Sequence, residues 1–512
     1  MQTLYSIHFE TLGCKLNQIE SESAANFFLQ AGYECSMHPV LAKQDKDDTT
    51  ILCIVNTCTV TSKAEQKGRR VIRLLLEKYP LAAILVTGCY AQLDAKILSD
   101  IDTRVAVLGG QSKGELADLP NQMKLWYKNK ELKYGDSQAL SSKLRLLFAG
   151  TAEIAFGHLS TVNKRTTSQS YIKAIPHATT HSNETFAFST ETFLTHSRSS
   201  IKVQDGCNNH CAYCRICFAR GPSVSLDAQT VLKRVQQLET AGHDEVVITG
   251  VNLTQYKVAI PKGATPLSVN RDYFDFADLL QFLVSNTKSI KFRISSLYPE
   301  RVNDELCKTL ADKRVQPHFH LSVQSGSDVI LKAMHRPYKA QQIKDAVDKL
   351  RAIKENPFIA CDIIAGFPNE SEADFEKTIC MAKECNFSWI HAFPFSPRPG
   401  TEAYTMDNQI PKHTAKMRVQ KLTELANKQK QTYVESCIGK EYSAIVEKRE
   451  SRELRVVTQN FLHLLVKVPQ NCKNEYSPKQ LGGKSVIIKV IDKIERTTNN
   501  KEIDGYCVFI SI

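Results

Sequence analysis

The sequence predicts an α/β protein in three parts: a parallel α/β sheet domain, an open partial (β/α)6 barrel of the TIM type, and a small antiparallel β domain. Three observations carry this. Residues 1–110 alternate apolar, β-branched runs with amphipathic helical patterns, the alternation resumes for six units after Ile201, and beyond residue 437 only short β runs with polar turns remain. Strand–helix alternation implies parallel strands covered by helices, whereas closely spaced short strands imply an antiparallel sheet or barrel.

In the first part, 1–115, the runs Ser6–Leu12, Thr50–Val55 and Leu81–Thr87 are strand candidates, with helical patterns over Glu20–Ala31 and Ala64–Lys78. Residues 116–197 read as a linker or insertion, because eighteen of the fifty positions 151–200 are Ser or Thr and apolar periodicity is poor. The barrel is expected over 198–432. Its strands are Ser200–Gln204, Glu245–Thr249, Ile290–Ser295, Phe319–Val323, Ile359–Ile364 and Trp389–Phe395. Reactive groups of such barrels sit at the C-terminal strand ends. Lys412–Gln431 reads as a helix with six Lys or Arg against one Glu, and 433–512 as the β domain.

The 512 residues, 42% of them apolar, suffice for about three domains. The start lacks a charged segment followed by an apolar run, and no apolar stretch approaches the roughly 18 residues that span a bilayer, so a cytoplasmic protein without a membrane partner is expected. In a reducing compartment sixteen cysteines point away from a disulfide framework and toward metal or redox chemistry, though many serve as small core residues. The formal charge of +12 suits a polyanionic partner.

Gln204-Asp-Gly-Cys-Asn-Asn-His-Cys-Ala-Tyr-Cys places Cys207, Cys211 and Cys214 at C-x3-C-x2-C spacing just after a strand. Three thiolates on one tight loop can bind three irons of a cubane and leave the fourth open to a small chelating molecule. Zinc with Cys217 as fourth ligand is the alternative reading, and three unrelated core cysteines the plainer one. A second set lies in the first part: Cys14, Cys58 and Cys89 each follow a predicted strand by two or three residues. Ends of parallel strands share one edge, where ligand crevices form, so these thiols can converge. Separate burial is the alternative, and for Cys53, inside a strand, the preferred one.

With Tyr213 before its last cysteine, the first constellation resembles the radical-SAM superfamily. That resemblance makes the barrel one of radical-SAM type. It implies that the open iron binds S-adenosylmethionine (SAM) and that one electron releases a 5′-deoxyadenosyl radical. The second constellation, with Gly88-Cys-Tyr-Ala-Gln, Tyr213-Cys-Arg-Ile-Cys-Phe-Ala-Arg-Gly, Arg293-Ile-Ser-Ser-Leu, His318-Phe-His-Leu-Ser-Val-Gln-Ser-Gly-Ser and Phe395-Ser-Pro-Arg-Pro-Gly-Thr, resembles the methylthiotransferase family over nearly the whole chain except about 110–195.

The family resemblance implies two [4Fe-4S] clusters, on Cys14, Cys58, Cys89 and on Cys207, Cys211, Cys214, with two SAM consumed and no side chain acting as catalyst. It places Tyr213, Gly250, Ser295, Gln324 and Arg336 around SAM. It also makes the terminal domain resemble the RNA-binding TRAM module, with Lys440, Lys448 and Arg449 as candidate phosphate contacts, tRNA near position 37 as partner, and an electron donor such as a flavodoxin-like protein. Gly13-Cys-Lys-Leu-Asn-Gln-Ile-Glu-Ser resembles the group acting on N6-threonylcarbamoyladenosine. The other groups, acting on isopentenyladenosine or a ribosomal-protein aspartate, tend toward Gln-Met-Asn or Pro-Lys-Asn after the cysteine. Cys217 replaces a usual Pro, Cys361-Asp362 a Thr-Asp pair, and Asn369-Glu370-Ser371 a Gly-Glu-Thr.

Overall fold

The apolar runs of the first part form β1 (Ser6–Thr11), β2 (Glu34–Ser36), β3 (Thr50–Thr57), β4 (Ala83–Gly88) and β5 (Val105–Val107), paired in parallel in the order β2-β1-β3-β4-β5. The computed structural model describes residues 5–152, 185–188, 197–268, 271–447, 453–468, 481–494 and 502–511. These form two compact units, one of Met1–Leu194, Gln204–Leu226 and Ser396–Tyr404, the other of Thr195–Val203, Asp227–Phe395 and Thr405–Ile512.

In the first unit β3 and β4 are buried at every position, which is why they read as continuous apolar runs. The helices Lys15–Gln30 and Ser62–Lys78 follow β1 and β3. The second is capped by Thr61, whose Oγ1 accepts from the Ala64 N–H at 3.1 Å.

The expected linker needs correction in its first third. Leu119–Lys128 and Ser137–Leu147 are helices, and Leu119, Met123, Leu140 and Leu144 enter the core beside Leu85 and Ala106. Each pair lies four residues apart, so it shares one helix face. The Ser/Thr-rich stretch behind these helices hid that short stripe. Positions 153–184 and 189–196 lie outside the described residues.

The second unit opens on β6 (Ser199–Asp205), whose last two residues belong to the first unit and pair there with β7 (Val224–Ser225). It continues through β8 (Glu245–Gly250), a hairpin of β9 (Val258–Ala259) and β10 (Tyr273–Phe274), β11 (Lys291–Ile294), β12 (Ser296–Leu297), β13 (His318–Gln324), β14 (Phe358–Ala365) and β15 (Trp389–Pro394). The strand expected at Ile290–Ser295 changes sheet at Ser295. Before it β11 pairs with β8, and after it β12 pairs with β13. One extended segment thus bonds to both neighbours, and six β/α units make an open barrel of two four-stranded sheets.

The tail forms β16 (Glu441–Val446), β17 (Arg455–Thr458), β18 (His463–Val466), β19 (Ser485–Lys493) and β20 (Gly505–Ser511), a closed barrel in the order β16-β17-β18-β20-β19. It is not wholly antiparallel, because β18 and β20 pair in parallel. A closed ring of five strands cannot alternate direction throughout, so one parallel pair is unavoidable. The helix Lys412–Cys437 precedes it, and Tyr433, Val434 and Cys437 share a core with Phe358, Val456 and Leu464.

A buried charge cluster joins this small barrel to the larger one. Arg293 donates to both Glu245 carboxylate oxygens at 2.7 and 2.9 Å and to the carbonyls of Thr458 and Gln459 at 3.2 and 3.1 Å. Gln316 donates to Glu245 at 2.7 Å. Phe461, in the left-handed region at φ 65°, stacks on His318 with centroids 4.1 Å apart. Both Arg198 and Arg293 lie against the same ring.

Burial opposes the Glu245 charge, but Arg293, Arg198 and Gln316 together bring its carboxyl down to about 2. A free glutamate titrates near roughly 4.3, so this stabilisation is fully present above that pH and is lost as pH falls toward 2. Glu245→Gln is expected to lower stability at pH 7 by about 3 kcal/mol and to flatten the acid decline between pH 5 and 3, read by chemical denaturation. A variant with the parent's acid slope would take Glu245 out of the pH response.

Candidate metal centre

In the first unit the strand-end cysteines come together. Cys14 precedes the helix Lys15–Gln30, Cys58 follows β3, and Cys89 opens the helix Cys89–Leu93 directly after β4. The charges of Cys89 and Cys14 both bear on Cys58, whose burial pushes its thiol up to about 11. Burial also raises the Cys89 thiol, against the pull of Arg220 and Lys113. The approach depends on Gly13, at φ 114°, where an added Cβ would stand 2.7 Å from Cys58 Cβ.

The same unit holds the C-x3-C-x2-C loop. Cys207 and Cys211 are buried, while Cys214 and Cys217 are half-buried. Backbone N–H groups of Asn209 and Ile216 donate to the sulfurs of Cys207 and Cys214 at 3.4 Å. Gly206, at φ 70°, lets the loop pass the Pro222 carbonyl, which a Cβ would strike. The structure also brings Cys217 into this group: burial raises its thiol to about 12, and Cys207 and Cys211 act in the same direction.

Both sets fit iron. Every described cysteine is a free thiol, both donor sets are soft sulfur, and in the second set backbone N–H groups aim at the sulfurs. Among the described residues no three His, Cys, Asp or Glu gather tightly enough to hold one metal ion. A cubane instead takes each thiolate on a separate iron. Cys53 is fully buried within β3, as read from sequence.

Arg220, from the helix Ile216–Arg220 behind the second set, reaches the first. It donates to Asp205 at 2.9 and 3.0 Å, to Glu20 at 3.1 Å and to Asn17 Oδ1 at 2.9 Å. Asn17 in turn donates to the carbonyls of Leu12 and Thr57, fixing the strand ends beside Cys14 and Cys58. Lys113 contacts Glu20 from the other side. Burial opposes the guanidinium's charge, yet Asp205, Cys89, Glu20 and Cys14 hold it well above the usual arginine range.

A second clamp sits by Cys58, where Arg398 donates to Ser62 and Thr59 at 3.0 and 3.1 Å and contacts Glu65. Sequence reasoning assigned no role to Arg220, Asn17, Glu20, Lys113 or Arg398. The local signals were the motifs that contain Arg220, Arg398, Asn17 and Glu20, and the i, i+3 spacing of the last two on one face of the helix after Cys14.

The SAM candidates divide between the units. Tyr213 adjoins Cys214 in the first. In the second, Gly250 and Gln324 end β8 and β13, and Ser295 sits at the sheet change, its N–H on the Ile248 carbonyl at 3.1 Å. The buried Ser295 hydroxyl has no partner among the described residues, so a polar ligand at the strand ends would satisfy it. Gln324 lies at φ 68°, a conformation costing about 1–3 kcal/mol that clusters at ligand clamps. Arg336 is buried and stacks over Tyr298 at 4.7 Å. Lys440 is exposed between the long helix and β16, whereas Lys448 and Arg449 lie outside the described residues.

An open β/α barrel with a strand-end tri-cysteine loop defines a radical-SAM protein, and the Radical SAM superfamily model matches residues 201–382. A second model, described as uncharacterized protein family UPF0004, matches 6–110. The threonylcarbamoyladenosine tRNA methylthiotransferase MtaB of Treponema pallidum (strain Nichols) is 44% identical, over 90% of this chain and 94% of its own. MtaB of Aquifex aeolicus (strain VF5) is 30% identical over 90% and 96%. The tRNA-2-methylthio-N(6)-dimethylallyladenosine synthase of Bartonella quintana (strain Toulouse) is 29% identical over 86% of each chain. The chain belongs to the methylthiotransferase family of radical-SAM enzymes, as a tRNA methylthiotransferase of the MtaB type.

Arg220→Ala would leave Asp205 and Glu20 buried with less counter-charge. A loss of about 3–5 kcal/mol is expected in anaerobic thermal unfolding. Arg220→Lys should recover only part of it, since one ammonium cannot reproduce the guanidinium fork across three partners. Full recovery by Lys would mean that charge alone matters here.

Proposed function

We propose that this protein converts N6-threonylcarbamoyladenosine at position 37 of tRNA to its 2-methylthio derivative. Cys14, Cys58 and Cys89 would hold one [4Fe-4S] cluster, and Cys207, Cys211 and Cys214 a second. The reading of two clusters is supported by one observation above all: two sets of buried or loop-held thiols lie in one compact unit, bound together through Arg220. The substrate reading is supported by the names of the MtaB relatives and by the Gly13–Ser21 segment.

When bound, the clusters and SAM supply the electron and the hydrogen abstraction. The chain's own groups place and shield them. Arg220 and Asn17 fix the strand ends that carry Cys14 and Cys58, Arg398 braces the turn after Cys58, and backbone N–H groups donate to the Cys207 and Cys214 sulfurs. Tyr213, Gly250, Ser295, Gln324 and Arg336 would line the SAM site. The electron would come from a flavodoxin-like protein in the cytoplasm. Among the described residues no helix is long and apolar enough to cross a membrane.

The tail would grip tRNA phosphates through Lys440, Lys448 and Arg449. From 437 onward it carries 13 Lys/Arg against 9 Asp/Glu, a formal difference of +4, and the long helix before it adds further basic residues.

Three measurements check this. Mass spectrometry of tRNA nucleosides from cells lacking the protein should show threonylcarbamoyladenosine without its methylthio form, whereas loss of the methylthio-isopentenyl nucleoside would reassign the substrate. After anaerobic reconstitution, a Cys14→Ala, Cys58→Ala, Cys89→Ala variant should hold half the parent's iron; the full amount would end the two-cluster reading. Joint neutralisation of Lys440, Lys448 and Arg449 should weaken tRNA binding and flatten its salt dependence, the logarithmic slope falling by roughly one for each phosphate no longer neutralised. An unchanged slope would remove them from the RNA surface.

A further inference from the structure

Three polar side chains stand together on neighbouring strands of the second unit. His320 lies on β13, Asp362 on β14 and His391 on β15, with Asp362 and His391 directly opposite in register. His320 Nε2 is 2.9 Å from Asp362 Oδ2, and the two imidazole centroids are 5.3 Å apart. The residues beside them along the strands, Leu321, Cys361, Ile363 and Ile390, are buried on the opposite face. The polar face is open: Asp362 is partly accessible, and His391 and Phe393 are exposed.

Each group has a defined hydrogen-bonding sense. The Trp389 indole N–H can only donate, and it lies 3.3 Å from His391 Nδ1. That nitrogen therefore accepts, and the proton of the neutral ring sits on Nε2. An imidazole of ordinary pKa, near roughly 6.5, is already mostly neutral at pH 7, and the packing on one side of the His391 ring together with His320 lowers it further. Asp362 is the opposite case: burial alone would raise its carboxyl, but His320 and Arg336 hold it below the usual carboxylate range. A carboxylate keeps acceptor capacity beyond one imidazole contact. Two strands thus present a donor and an acceptor side by side, next to the exposed Phe393 ring, whose plane lies 11° from that of His391.

We propose that this face reads the urea-type linkage on N6 of the target adenosine, Asp362 accepting its N–H and His391 Nε2–H donating to its carbonyl. The Phe393 ring offers the purine a surface on which to stack. This rests on the threonylcarbamoyl reading above and deepens it. An isopentenyl group has neither N–H nor carbonyl in its side chain, and covering this face with it would leave the His391 Nε2–H without a partner. Sites built for a hydrogen bond discriminate strongly against analogues lacking it for this reason.

The test measures binding of synthetic anticodon hairpins to the full-length protein by fluorescence anisotropy, with threonylcarbamoyl-, isopentenyl- or unmodified adenosine at position 37. The parent should prefer the threonylcarbamoyl hairpin over the unmodified one by about tenfold or more. His391→Phe keeps an aromatic ring and should bring that ratio near one, as should Asp362→Leu. His391→Gln retains a side-chain N–H and should recover most of the preference. Parent-like ratios in both His391→Phe and Asp362→Leu would overturn the proposal and leave the assigned tRNA substrate, judged by nucleoside analysis, in place. A parent preference for the isopentenyl hairpin would overturn both together.

Discussion

A guanidinium cannot be buried alone, and Arg220 is buried between two loops that have little else in common. Its fork meets Asp205 at the end of β6 and Glu20 and Asn17 at the start of the first helix, while Lys113 balances the second carboxylate. Withdrawing one partner exposes the rest to the cost of an uncompensated buried charge, typically about 3–5 kcal/mol. The arrangement is therefore held all or none. Asn17 extends it to the Leu12 and Thr57 carbonyls, so the strand ends bearing Cys14 and Cys58 depend on a residue from the other cysteine loop.

The second unit uses the same device for another purpose. Glu245, Arg293 and Gln316 form a buried polar floor, and Arg293 uses its remaining donors on carbonyls of the terminal barrel. Phe461 completes the seam by lying against both arginines and His318. Such a junction is directional, because each hydrogen bond fixes an orientation that apolar contact alone leaves loose. The polar face of β13–β15 belongs to this same barrel, so its side chains rise from strands whose bases are immobilised by packing and charge.

The tri-cysteine loop and the strand-end cysteines were legible because they depend on local rules. A run of β-branched residues ends, a glycine turns the chain, and a cysteine follows. Gly13, Gly88 and Gly206 each stand immediately before a candidate ligand. The helices at 119–147 were hidden for a local reason too, since two short apolar stripes lie next to a Ser/Thr-rich stretch that dominates the composition. The parallel β18–β20 pair was hidden for a global one: strand direction is settled by closure of the five-membered ring.

By itself the sequence determined the class of fold and the family and set cysteines just beyond strand ends, because periodicity and motif spacing act over a few residues and need no distant partner. Only the tertiary structure decided which charges hold those cysteines together and which polar groups share a strand face. Arg220 and Glu20 are 200 residues apart, His320 and Asp362 more than forty, and nothing local marks either pair. Their meeting follows from sheet order and burial, which are properties of the folded chain as a whole.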